Sequence, residues 1–143
     1  MSSLTHALRP FAADVASTRG IDGGMPWGVY DQSSGAWVFH TADAVAEQVP
    51  DAEFPREGWV VRIMDNWTHI EGGPRSEMLV EAAEVVQTSV MDELGRGWPE
   101  LYRDGRFVGL LTPRADDDGG LEWWLAGEHM CQAGELQALL GAG

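Results

Sequence analysis

The sequence predicts an α+β fold, with an antiparallel sheet built from two meanders and one long helix packed across it. Helical periodicity is clear over residues 74–94, where apolar side chains recur at steps of three and four from Leu79 to Leu94. Aromatic and β-branched runs flank this helix on both sides, and the pair Asp104-Gly105 between two of them favours a tight hairpin. We expect one sheet of about five or six strands. Two separate small sheets are the alternative.

The part of the chain before the long helix is expected to begin with another helix. Apolar residues at helical spacing start at Leu4, Pro10 lies inside the pattern, and Gly20 can end it. The elements that follow are a hairpin over 27–30 and 36–40, a short helix over 42–48 with Thr41 as its cap, a polar connection over 50–58 and a buried strand over 59–64. Pro74 suits the first position of the long helix, and Gly95 suits its end.

The part after the long helix is expected to form the second meander and a terminal helix. Its elements are a hairpin around Asp104-Gly105 whose second strand runs to Thr112, a turn over 115–120, a strand over 121–125, a connection over 127–132 and a helix over 134–140. Trp123 and Trp124 are adjacent, so in a strand they point to opposite faces. One of them should be exposed or covered by a partner.

Length and charge restrict the class of protein. The 143 residues suit one domain, 1–143. The formal charge is 9 − 23 = −14, and every basic residue is arginine. The lack of lysine is typical of a high-GC prokaryotic genome, and in a halophile such acidity would serve solubility. Because an electronegative surface repels phosphate backbones, we expect no nucleic-acid ligand.

The compartment is expected to be the cytoplasm. Cys131 is the single cysteine, which fits a reducing environment. Residues 1–14 show neither a basic lead nor an apolar run, so no signal peptide is predicted. No apolar run approaches the roughly 20 residues that cross a bilayer, so we expect no membrane partner.

The predicted binding residues are acidic, with one tryptophan. Glu77, Glu81 and Glu84 form a row on the long helix with no basic residue between them, which is either a solvated face or a docking surface. The other candidates are Trp124 and the turn residues Asp116, Asp117 and Asp118. Exposed aromatic side chains within an acidic rim favour a basic protein surface as the partner. A homodimer through exposed aromatic residues is a further alternative.

A second interpretation places a pocket in the segment after the strand over 59–64. Its polar and aromatic side chains lie between a strand end and the long helix, where ligand groups often sit in α/β proteins. The residues are His40, Asp65, Asn66, Trp67 and His69. This interpretation predicts a small enzyme or ligand-binding domain with a concave pocket.

Motifs for specific chemistry are weak in this sequence. The histidines and Cys131 lack the paired spacing of zinc ligands, and Asp116–Asp118 lacks the spacing of a calcium loop, so no metal and no cofactor are predicted. Serine-hydrolase, phosphate-loop and dinucleotide motifs are missing. The preferred function is a non-catalytic interaction domain: an adaptor, inhibitor or immunity-type partner of a basic protein. The alternatives are the pocket-based function and acidity that reflects only halophilic or genomic adaptation.

Overall fold

The computed structural model describes residues 4–18 and 25–141. Within these ranges the chain forms three α-helices, one short 3₁₀-helix and nine strands. The helices are α1 (Leu4–Thr18), the 3₁₀-helix (Asp43–Glu47), α2 (Arg75–Leu94) and α3 (Leu136–Gly141). The strands are β1 (Trp27–Asp31), β2 (Ala36–His40), β3 (Trp59–Ile63), β4 (Asn66–Ile70), β5 (Glu100–Arg103), β6 (Arg106–Leu110), β7 (Thr112–Ala115), β8 (Leu121–Leu125) and β9 (Glu128–Gln132).

The α+β class, the antiparallel strands and the single long helix are confirmed. The strands nevertheless form three sheets in the described ranges, with orders β2-β1-β3-β4, β5-β6 and β7-β8-β9, rather than one continuous sheet. Leu111 is the reason that β6 does not continue into β7. Its side chain is fully buried, its N–H donates to the carbonyl of Pro99 at 3.0 Å, and its carbonyl accepts from the Gln87 amide at 2.7 Å.

An aromatic core joins the two meanders. Phe11 of α1 stacks on Trp123 of β8 at 5.4 Å between ring centroids and meets the edge of Trp27 of β1 at 6.1 Å. Trp98 adds an edge contact to Trp123 at 5.6 Å. Edge-to-face and offset arrangements of this kind are the favourable geometries for aromatic pairs. Helix α1 therefore packs against both the four-stranded sheet and the three-stranded sheet and joins them in one core.

The four-stranded sheet is covered on both faces. Trp27, Val29 and Val61 lie in the core, whereas Val60 on the opposite face is also fully buried. The segment after β2 covers that face, where the carbonyl of Val45 accepts a hydrogen bond from the Arg62 guanidinium at 2.8 Å. The predicted polar connection over 50–58 continues this cover, since its Phe54 stacks with His69 and lines a pocket together with Trp67.

Several local predictions are corrected. The segment after β3 is a strand, β4, because Met64 adopts a positive φ of 54° and turns the chain back at once. The connection over 127–132 contains β9. Thr41 does not cap the 3₁₀-helix, because its hydroxyl accepts the N–H of Trp27 at 3.0 Å. Pro74 is the N-cap of α2 rather than its first residue. Gly20 lies outside the described residues.

Strand β2 departs from simple alternation. Val29 pairs with Phe39 and Tyr30 with Trp37, so one residue of β2 is left unpaired between them. Such a bulge shifts the following side chains to the other face. Phe39 therefore packs on Trp27 in the core, at 5.0 Å between centroids, while Trp37 contacts Trp67 on the opposite face at 6.0 Å.

Candidate functional site

An open groove of about 480 Å³ lies between β4 and α2. We call it the β4/α2 groove. Its lining residues are Thr68, His69 and Ile70 of β4 and Glu81, Glu84, Val85, Thr88 and Ser89 of α2. Strand β4 is an outer strand of its sheet, with β3 as its one hydrogen-bonded neighbour in the part of the chain that is described. An unpaired strand edge thus runs beside exposed carboxylates.

The helix geometry explains why these carboxylates reach the groove. Met78, Leu79, Ala82, Ala83, Val86 and Val90 form the buried stripe of α2. Glu81, Glu84 and Thr88 recur at steps of three and four on the adjoining face, so they stand one above another along one side of the helix. Glu77 belongs to the same row and is exposed, but it does not line the groove. The groove wall therefore carries two carboxylates with no basic residue between them.

His69 is held by the loop before β3. Its ring Nε2 lies 2.8 Å from the carbonyl of Glu57, and its ring stacks with Phe54 at 6.3 Å between centroids. A ring nitrogen at this distance from a carbonyl donates its proton to that carbonyl. The His69 ring is thereby held on the face of β4 that carries Trp67, and Nε2 does not serve as a base.

The structure does not bring the residues of the second interpretation into one pocket. His40 is exposed at the end of β2 and lines a pocket of about 590 Å³ beside α1, which also contains Thr5 and Arg9. Asp65 is exposed at the turn before β4, and Asn66 is exposed as the first residue of that strand. His40 and His69 therefore line different pockets.

Trp67 lines a third pocket, of about 620 Å³, together with residues of the loop over 48–54. The guanidinium of Arg62 lies 5.0 Å from the centre of the Trp67 ring, a cation–π distance. The remaining lining residues are Gln48, Val49, Asp51, Glu53 and Phe54. This pocket combines aromatic, apolar and acidic groups.

The acidic turn between β7 and β8 is organised by one of its own carboxylates. Asp116 Oδ1 accepts the N–H groups of Asp118 at 2.9 Å and Gly120 at 2.7 Å. Asp116 and Asp118 line a pocket of about 250 Å³ that shares no residue with the β4/α2 groove. Among the side chains of residues 4–18 and 25–141, no three of His, Cys, Asp or Glu are grouped to hold a metal ion.

Trp124 is half-buried and has partners within its own sheet. The guanidinium of Arg114 lies 4.6 Å from its ring centre, and its indole N–H donates to Glu122 Oε1 at 2.8 Å. Glu122 Oε2 also accepts from Gln132 at 3.0 Å and lies 3.4 Å from His129 Nε2. Trp124 therefore belongs to a polar network on one face of the three-stranded sheet, away from Trp123 in the core.

The carboxylate of Asp14 is buried in the core beside α3. Asp14 Oδ2 accepts the Trp123 indole N–H at 2.9 Å and the Gly134 N–H at 2.7 Å, and Oδ1 accepts the Leu136 N–H at 3.1 Å. Burial raises the pKa of Asp14 above 3.8, although these three hydrogen bonds act in the opposite direction. The sequence analysis missed Asp14. The signal was an aspartate on the apolar stripe of α1, seven residues after Ala7.

Cys131 is buried next to this carboxylate. Burial, assisted by the negative charges of Asp14 and Glu135, raises the pKa of the Cys131 thiol to about 11. A thiol in that environment is protonated at neutral pH and is a poor nucleophile. The side chain acts as a small apolar group of the core.

Comparison of the chain with protein-family models, with curated proteins and with solved structures gave no match. Of the helices in the described ranges, none is long and apolar enough to cross a membrane. The fold and the groove define an acidic α+β domain with an open strand edge beside a row of glutamates.

Proposed function

We propose that the protein is a non-catalytic interaction domain that binds a basic protein through the β4/α2 groove. The observation that supports this most directly is the position of Glu81 and Glu84 beside the outer edge of β4. An open strand edge accepts an extended segment of another chain by backbone hydrogen bonds, while neighbouring side chains select its sequence. Two carboxylates on the groove wall select arginine and lysine.

The charge of the whole chain supports the same choice of partner. At a formal −14 it attracts basic surfaces over long distances and increases their rate of association. The same field disfavours nucleic acid, which is therefore not expected as a ligand. An adaptor, an inhibitor or an immunity-type partner of a basic protein fits this description. The cytoplasm remains the expected location, which the unpaired, buried Cys131 thiol supports.

Two histidines and the cysteine, side chains of types that commonly carry catalysis, are held by structural contacts or buried. His69 binds the Glu57 carbonyl, His129 faces Glu122, and the pKa of Cys131 is raised to about 11. These contacts support a binding role rather than an enzymatic one.

The experiment that tests the groove uses a probe of defined chemistry. A short peptide of alternating arginine and valine is titrated into the protein at low salt, and its affinity is measured by calorimetry. We expect Glu81→Gln/Glu84→Gln to weaken binding by about tenfold, because charged pairs at a partly exposed groove contribute about 1 kcal/mol or slightly more together.

The matched control is Glu47→Gln/Glu128→Gln, which removes the same charge at two exposed positions outside the groove. Equal weakening by the two double variants would show that only net charge matters and would contradict the groove as the site. Capture from native-host lysate at low salt, followed by elution with a salt gradient, then identifies the natural basic partner.

The pocket beside Trp67 supports a second candidate function, the binding of a small ligand. Its acidic and aromatic lining, with Asp51, Glu53 and Phe54, suits an organic cation. Titration with a quaternary ammonium compound should shift the Trp67 indole N–H resonance in an NMR spectrum. Unchanged resonances at millimolar ligand would remove this candidate.

A further inference from the structure

The pocket of about 590 Å³ that contains His40 lies between α1 and β2, the outer strand at the other end of the four-stranded sheet from β4. We call it the α1/β2 pocket. One wall is a single face of α1, because its residues recur there at helical steps. These residues are Thr5, Arg9, Ala12, Ala13 and Ala16. The other wall is β2 with the residue that follows it, and His40 lies on this side.

Hydrogen bonds hold both walls of the pocket in place. Thr5 Oγ1 donates to the carbonyl of Val38 at 2.9 Å, which ties the start of α1 to β2. The hydroxyl of Thr41, directly after β2, accepts the N–H of Trp27 at 3.0 Å. The strand is thereby fixed to α1 on one side and to β1 on the other. A ligand therefore meets a preformed pocket, and its binding requires little ordering of the protein.

The lining of the α1/β2 pocket differs in charge from that of the other pockets. Acids outnumber arginines by 23 to 9 in the sequence. The β4/α2 groove, the pocket beside Trp67 and the pocket at the acidic turn each contain two carboxylates. Among the described residues that line the α1/β2 pocket there is no aspartate or glutamate, whereas Arg9 and His40 are both present. An anion in this pocket therefore meets no carboxylate on its walls.

The side chains of Arg9 and His40 are available to a ligand. Within residues 4–18 and 25–141, neither side chain takes part in a hydrogen bond, an ion pair or a ring contact, and both residues are exposed. The planar guanidinium of arginine matches the two oxygens of a carboxylate. A histidine ring carries at least one N–H donor in each of its forms. An anion bound by Arg9 thus has a second donor in the same pocket.

The rest of the helix wall is small and apolar. Ala12, Ala13 and Ala16 carry only methyl groups, so they leave room beside Arg9 for the body of a ligand. The volume lies within the range of roughly 300–1,000 Å³ that is typical of small-molecule sites. This lining suits a ligand with an anionic group at one end and an apolar body.

We infer that the α1/β2 pocket binds a small organic molecule with a single carboxylate and an apolar body. Arg9 pairs with the carboxylate, His40 supplies the second donor, and the alanines of α1 contact the apolar body. The charge of the chain sets the charge of the ligand. At a formal −14 the protein repels anions in proportion to their charge, so a monocarboxylate is favoured over phosphate esters and other polyanions. The α1/β2 pocket and the β4/α2 groove have no lining residue in common, so this inference is independent of the proposed groove.

The direct test uses the unmodified protein and naphthalene-2-carboxylate as the probe. In an NMR titration, the Arg9 Nε–H and the methyl groups of Ala12, Ala13 and Ala16 should shift together and saturate. We expect a dissociation constant of about 1 mM, which modest contacts give to a ligand of this size. Naphthalene-2-carboxamide has the same shape without the charge. It should bind about tenfold more weakly, because charge-assisted hydrogen bonds are the stronger ones.

Two outcomes of this titration would overturn the inference. One is the absence of shifts at these residues up to about 10 mM probe, well above the expected dissociation constant. The other is equal affinity for the carboxylate and the carboxamide, which would show that Arg9 does not select an anion.

The charge test is Arg9→Gln, which should weaken the binding of naphthalene-2-carboxylate by about tenfold. Its control, Arg56→Gln, makes the same change in net charge at an exposed position outside the pocket. The control should leave the dissociation constant unchanged. Equal weakening by the two variants would mean that only net charge acts, and it would contradict Arg9 as the partner of the carboxylate.

The shape test is Ala13→Phe, which fills the pocket without changing any charge. Ala13 is exposed on α1, so the larger side chain does not enter the core. Binding should weaken several-fold, whereas Ala52→Phe, at an exposed position outside the pocket, should have no effect. Full affinity of a folded Ala13→Phe protein would contradict this location. The arginine–valine peptide reports on the β4/α2 groove, so failure of either proposal is recognised separately.

Discussion

Asp14 is the residue that ties the two ends of the described chain together. Its carboxylate on α1 accepts N–H groups from Gly134 and Leu136, at the start of α3, and from the indole of Trp123. It thereby acts as the acceptor for N-terminal groups of a helix distant in sequence. Because Asp14 is 1% exposed, these bonds are made without competition from water.

Asp14→Asn should destabilise the fold by about 2–3 kcal/mol, because the amide nitrogen would face an N–H donor and leave it unsatisfied in the core. Urea unfolding followed by tryptophan fluorescence measures this difference. Asp92→Asn, at an exposed position of α2, is the control and should change the stability by less than about 0.5 kcal/mol. Equal stability of the two variants would mean that the three hydrogen bonds contribute nothing.

The pH dependence of stability has a definite sign at Asp14. Its pKa in the folded state is raised above 3.8, so the folded protein binds the proton more tightly than the unfolded chain does. The contribution of Asp14 to the free energy of unfolding is therefore full below its pKa in the unfolded chain. It decreases as pH rises through its pKa in the folded protein. The difference in unfolding free energy between the unmodified protein and Asp14→Asn, measured over a pH series, should decrease across that window. An increase would contradict the raised pKa.

Cys131 is expected to be unreactive in the folded protein. With a thiol pKa of about 11, little thiolate is present at pH 8, and the side chain is buried. An aromatic disulfide reagent should react slowly with the native protein and fast after denaturation in guanidinium. Fast reaction of the native protein would show that the thiol is accessible and ionised.

At the scale of elements, α2 is linked to the second meander by a buried amide. Gln87 lies on the core side of the helix, and its Nε2 donates to the carbonyls of Trp98 at 3.1 Å and Leu111 at 2.7 Å. The carbonyl of Trp98 lies two residues before β5, and that of Leu111 lies at the break between β6 and β7. One side chain thus positions the base of the β5–β6 hairpin relative to the helix that carries the β4/α2 groove.

Gln87→Leu should cost about 1–3 kcal/mol, since two buried carbonyls lose their donor while the apolar volume is kept. Thr88→Ala, one position further along the same helix and exposed, is the matched control. Thermal unfolding by circular dichroism compares the two variants. A Gln87→Leu protein as stable as the control would show that water satisfies these carbonyls.

At the scale of the whole molecule, the excess of 14 negative charges opposes the compact state. Salt should therefore raise the melting temperature, and most of the rise should occur below about 0.3 M, where the screening length falls to several ångströms. Differential scanning calorimetry in potassium chloride measures it. A melting temperature that climbs steeply to molar salt would favour halophilic adaptation, and one indifferent to salt would remove that alternative.

How much the sequence predicts depends on how local the signal is. Periodicity and turn chemistry within a few residues predict the helix over Arg75–Leu94 and the hairpin at Asp104-Gly105. The adjacency of Trp123 and Trp124 in one strand likewise predicts that Trp123 is buried in the core while Trp124 lies on the other face. Strands β4 and β9 were missed because mixed polar segments of five residues carry too few apolar positions to reveal alternation. Glu81 and Glu84 were found as an acidic row, but not as neighbours of a strand edge.

The sequence by itself determined the α+β class, the long helix with its glutamates, the acidity and the single thiol, since these depend on composition and short-range spacing. Only the tertiary structure decided that the strands form separate sheets, that Glu81 and Glu84 face β4, that Asp14 organises α3, and that Arg9 and His40 line one pocket. Each of these depends on contacts between distant residues, such as those of Asp14 with Leu136 and of Gln87 with Leu111. Packing of the whole core fixes such contacts, and no local pattern encodes them.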